Sequence, residues 1–133
     1  MIFIDTGAFL ARYSARDQHH TEAQRGWDQL ARRPEPCFTS NFVLDETFTL
    51  LGRRAGYRFA AERARNVYRS SAITILRPGL DDEIEALRWF EKFAAQKVSF
   101  TDCVSFALMK RERLVKAFTS DSDFELAGFV RLR

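Results

Sequence analysis

The chain has 133 residues, 46% hydrophobic and 29% charged, which suits one soluble globular domain over 1–133 and leaves little room for two. Its net charge of +3 is too mild to name a partner. No apolar stretch approaches the roughly 18 residues of a membrane span, and the strand-like start MIFID is unlike a signal or transit segment, so a cytoplasmic protein is expected.

In chain order, Ile2–Ile4 reads as a strand, followed by a short helix from about Gly7 to Arg12 and an amphipathic helix from about Gln18 to Arg32. The proline-rich RRPEPC forms a loop before a second strand, Cys37–Thr39. Helices follow over Asn41–Arg54 and Tyr57–Tyr68, the second rich in arginine. The β-branched run AITIL (Ala72–Leu76) is a third strand. Helices at Asp81–Ala95 and Phe100–Glu112 precede a strand at Val115–Thr119, a short helix at Asp123–Ala127 and an edge strand within Phe129–Leu132. Short apolar strands alternating with helices predict a three-layer α/β/α sandwich around a short, mostly parallel sheet. Thirteen Phe predict a core built largely of phenyl rings. Cys37 and Cys103, outside any metal-ligand spacing, read as two buried thiols.

Four carboxylates stand where apolar neighbours make them odd. Asp5 closes the run IFI, Glu46 lies inside NFVLDETFTLL, Asp102 opens SFTDCVSFALM, and Asp121 follows KAFTS. Structural duties exist for three of them. Asp5 is placed to cap the helix after its strand. Ser99 and Asp102 have capping-box spacing, and so do Ser122 and Glu125 beside Asp121. Glu46 has no such excuse: on a helix it neighbours Phe42, Val43, Thr49 and Leu50, so it sits at the edge of the buried stripe or in a cleft beside it.

In a parallel α/β sheet ligands bind beyond the carboxyl ends of the strands, where Asp5 and Asp121 fall and from which the Glu46 helix departs. Carboxylates gathered there repel one another unless a cation joins them. An all-oxygen set suits Mg2+ or Mn2+ rather than zinc. Such ions activate water and neutralise the leaving oxygen of a phosphodiester. The expected chemistry is hydrolysis by metal-activated water, with Asp5, Asp102 and Asp121 as principal ligands and Glu46 holding a second ion or orienting the water.

The segments IFIDTGAFL, DQHHTEA, TSNFVLDETFTLL, SFTDCVSFALMK and AFTSDSDFELAGF resemble, in order and separation, the motifs of PIN-domain ribonucleases, most of all the VapC-type toxins of toxin–antitoxin pairs. The resemblance implies a metal-dependent endoribonuclease whose acids match Asp5, Glu46, Asp102 and Asp121, with Asp123 as an accompanying ligand. Thr6, Ser99 and Thr101 match small hydroxyl positions that orient carboxylates or waters. It also implies RNA as substrate, an antitoxin protein as partner, and a homodimer. His20 matches a recurrent family position outside the acidic set; it and His19 read as packing or surface residues of their helix.

Because an acidic centre repels RNA, basic residues must bring the substrate in. Candidates are Arg53, Arg54, Arg58, Arg63, Arg65 and Arg69, then Lys110, Arg111, Arg113 and Lys116, with Arg53 favoured because it lies two turns beyond Glu46 on one helical face. The alternative function is a PIN-like module that binds RNA or protein without cutting. A phosphoacceptor signalling domain fits poorly, lacking the acidic pair after the first strand and the lysine after the late one. A haloacid-dehalogenase-type phosphatase would need D-x-D where the chain reads DTG.

Overall fold

Ile2, Phe3 and Ile4 are wholly shielded from solvent, as a strand covered on both faces by helices requires. They form β1 (Ile2–Ile4), the centre of a sheet completed by β2 (Cys37–Ser40), β3 (Ile73–Leu76), β4 (Lys116–Phe118) and β5 (Val130–Leu132). This computed structural model describes residues 1–14 and 17–132. The strand order is β3-β2-β1-β4-β5 and every pairing is parallel, so the expected edge strand is present and runs with the others.

Among the described residues the helices are α1 (Thr6–Tyr13), α2 (His20–Arg32), α3 (Asn41–Ala55), α4 (Tyr57–Arg69), α5 (Leu80–Lys92), α6 (Phe100–Arg111) and α7 (Asp123–Leu126). The helix expected over Asp81–Ala95 stops earlier: α5 ends at Lys92, a 3-10 turn covers Ala94–Gln96, and Lys97 takes a left-handed backbone. The core is phenyl-rich as the composition predicts. Phe3, Phe9, Phe106 and Phe124 are fully buried, each contributing roughly 1.5–3 kcal/mol of apolar burial. Phe106 meets Trp89, Phe93 and Phe124 edge-on, with ring centroids 5.5, 6.4 and 5.0 Å away. Cys103 is buried, but Cys37 is only half-buried at the start of β2.

The strand order has one reversal that matters. From β1 the chain proceeds outward to β2 and β3, then returns to place β4 on the other flank of β1. The crevice between the carboxyl ends of β1 and β4 is therefore the topological switch point. Gly7 brings its walls together: a Cβ there would lie 2.9 Å from Ser120 Oγ, so the first turn of α1 closes against the loop after β4.

Candidate active site

Asp5 leaves β1 and its amide donates to the Phe118 carbonyl at 3.1 Å, which extends the β1–β4 pairing into the crevice. Its carboxylate makes no side-chain capping bond to α1. Instead the Thr119 hydroxyl donates to Asp5 Oδ2 at 2.7 Å and accepts from the Asp121 amide at 3.0 Å. One threonine thus fixes two acids that lie far apart in sequence. Asp121 Oδ1 in turn accepts from the Asp123 amide at 2.8 Å, turning the chain so that both carboxylates face the crevice.

Asp102 arrives on the first turn of α6. Ser99 Oγ accepts from the Asp102 amide at 3.1 Å and caps the helix. Among the described residues the reciprocal half of the capping box is not formed, and the Asp102 side chain lines the crevice instead. Glu46 is exposed on α3, and the Thr6 hydroxyl donates to its Oε2 at 3.2 Å, tying it to the residue after Asp5. The open pocket that results is lined by all five acids, Asp5, Glu46, Asp102, Asp121 and Asp123, with Thr6, Ser99, Ser120 and Lys97 among their neighbours.

The electrostatics follow from burial and crowding. Asp5 is 5% and Asp102 8% exposed. Burial is the main cause that raises Asp5 to about 6; the Thr119 hydroxyl and Thr6 amide oppose it, and the charges of Asp121 and Glu46 add to it. Asp102 is pushed to about 9, first by burial, then by the charge of Asp5, then by its hydrogen bond with Asp121. Asp123 is raised by burial and by Asp121. Oxygens of Asp102, Asp121 and Asp123 lie within 4.8 Å of one another. Such a set of mutually repelling, all-oxygen donors, one buried and two half-buried, fits a hard divalent cation, which would replace the protons the site otherwise holds.

Two sequence candidates lie elsewhere. Thr101 is half-buried outside the pocket lining, and its carbonyl accepts from Ser105 Oγ at 3.2 Å. Arg53 is exposed near the end of α3 and does not line the pocket. Other basic residues read as RNA contacts have structural partners. Arg54 pairs with Asp17 at 3.5 Å, Arg111 with Asp82, and Lys116 with Glu35 at 2.7 Å. Arg63 lies over the Phe59 ring. His20 turns a ring nitrogen onto the Ala11 carbonyl, joining α2 to α1. Sequence reasoning missed Thr119 and Lys97. The first had a signal in the hydroxyl two residues before Asp121; the second had none, because its place depends on where α5 stops.

The PIN domain family profile matches residues 2–130. The chain is 39% identical over 133 residues to the 23S rRNA-specific endonuclease VapC20 of Mycobacterium tuberculosis, covering all of this chain and 98% of that protein. It is 31% identical over 140 residues to a VapC ribonuclease of Archaeoglobus fulgidus, covering 96% and 81%. Among solved structures, Mycobacterium tuberculosis VapC20, described as a sarcin–ricin loop cleaving toxin, superposes with a TM-score of 0.91 at 37% identity, covering 100% and 99%. FitAcB of Neisseria gonorrhoeae shares the fold, with a TM-score of 0.69 at 15% identity over 100% and 97% of the two chains.

Proposed function

We propose, from the premise that this chain belongs to the PIN-domain family and is of the VapC type, that it is an RNA endonuclease acting as the toxin of a toxin–antitoxin pair. The observation that carries this reading is the meeting of five carboxylates from four separate segments at the sheet's switch point. A non-catalytic binding module gives no reason to gather acids that raise one another's proton affinity.

In the proposed mechanism Asp102, Asp121, Asp123 and Asp5 would hold Mg2+ or Mn2+, which when bound would supply water activation and charge neutralisation for phosphodiester hydrolysis. Asp5 is held in place by Thr119, and Asp102 by the Ser99 cap. Glu46, exposed and braced by Thr6, is placed to accept a proton from the attacking water. We further read the chain as one nuclease domain over residues 1–133 that works in the cytoplasm. The named target of the Mycobacterium tuberculosis relative, the sarcin–ricin loop of 23S rRNA, is the proposed substrate class.

A homodimer is part of this reading. Leu80, Ile84 and Leu87 on α5 are 72, 46 and 43% exposed and share one helical face. That apolar stripe is the face this reading offers to a second copy of the chain. An antitoxin that blocks the acidic pocket is the second protein partner. The test is sequencing of new RNA ends after inducing the wild-type chain and its Asp5→Asn variant. New ends confined to the wild type support the reading, and identical ends in both overturn it.

A further inference from the structure

We propose that Lys97 grips the RNA at the acidic pocket, its ammonium donating to a non-bridging oxygen of the phosphodiester being cleaved; this rests on the nuclease reading above. A phosphodiester is an anion and must be brought against five carboxylates, so a cation at the pocket edge is needed beyond any ion bound inside. Among the described residues, Lys97 is the sole basic one lining the pocket. Despite that neighbourhood it forms no ion pair with any described carboxylate. Arg54, Arg111 and Lys116, by contrast, are engaged by acids elsewhere.

The backbone fixes the place from which the side chain leaves. Lys97 has φ 57° and ψ 39°, a left-handed conformation that ends the 3-10 turn, and its amide donates to the Ala94 carbonyl at 3.2 Å. It sits between Phe93 and Val98, which are 6% and 3% exposed and anchor the segment on either side. The side chain itself is exposed and makes no ion pair among the described residues, so it is free to reach a ligand at the pocket.

The test compares wild type with Lys97→Gly and Lys97→Arg on a labelled hairpin RNA spanning the sarcin–ricin loop. It measures affinity in Ca2+, cleavage in Mn2+, and thermal stability. Glycine fits the backbone, so Lys97→Gly is expected to melt at or above the wild-type temperature while losing about 10- to 100-fold in affinity and in kcat/KM. Lys97→Arg should recover most of both. Wild-type cleavage with Lys97→Gly unchanged in affinity and rate overturns the Lys97 contact and leaves the nuclease reading standing. Binding that weakens in Lys97→Gly although the wild type does not cut supports the contact and removes the nuclease reading. A wild type that neither binds nor cuts this RNA overturns both. A melting temperature that falls in Lys97→Gly, with cleavage restored by excess Mn2+, assigns the lysine to charge balance and also overturns the proposal.

Discussion

The two ends of the sheet hold carboxylates under opposite regimes. At the amino end, Glu35 takes bonds from Lys116 Nζ at 2.7 Å and from the Met1 amino group at 2.8 Å, and the Lys116 hydrogen bond is the main cause that lowers its pKa. At the carboxyl end, Asp5 and Asp102 are buried among other acids and are pushed to about 6 and about 9. The same chemical group is a fastener at one end and a store of unspent repulsion at the other. An acid given its own cation by the chain serves the fold; acids left to one another are waiting for a cation from outside.

The largest effect should come from Asp102→Asn, which removes the most perturbed acid. RNA cleavage should fall by at least about 1000-fold, while metal-free melting temperature holds or rises because the amide stands in for an acid that the metal-free site keeps protonated, with its pKa at about 9. A lowered melting temperature with preserved cleavage would break the contrast between the two ends. Next is the pH dependence of the metal-free protein. Folded pKa values above the unfolded value mean that the native state holds more protons, so stability declines as pH rises from about 4 through about 9. Mn2+ competes with those protons, and its stabilising shift should be larger at pH 8 than at pH 6 in calorimetric scans.

Thr119→Val sharpens the comparison from the middle of the site. It strips a hydroxyl from Asp5 and from the Asp121 amide, and should cost about 1–3 kcal/mol in denaturant unfolding and roughly 10-fold in cleavage. The smallest effect belongs to Glu35→Gln, expected to cost about 1 kcal/mol at low salt and leave cleavage unchanged. Glu35 has a lowered folded pKa, so its contribution is present above the unfolded pKa and is lost as pH falls through the folded one.

The fold was legible because hydrophobic runs such as IFI and ITIL are too short for helices and form strands, the first fully buried and the second partly, and because helices recur between them. The acids were legible for a related reason: each interrupts an apolar context, and the ends of parallel strands give such residues a common destination. Less legible was whatever depends on exact ends of elements. The early stop of α5 turns Lys97 into the pocket lining, and a capping pattern cannot say whether Asp102 will complete its box or face the crevice. The helical-face argument for Arg53 does not bring it to the pocket wall, since sharing a face with Glu46 does not place a residue two turns on beside the same carboxylates. Basic residues mislead in general, since pairing with distant acids such as Glu35 leaves no trace in local sequence.

The Thr119–Asp5 bond spans 114 positions of the chain. Every strand pairing is parallel, so no local hairpin can bring these segments together ahead of time. A ribosome making this protein therefore carries a nascent chain with no assembled pocket until β4 has emerged and docked beside β1. For an enzyme that cuts RNA, that topology leaves the growing polypeptide without a working pocket until its synthesis is nearly done.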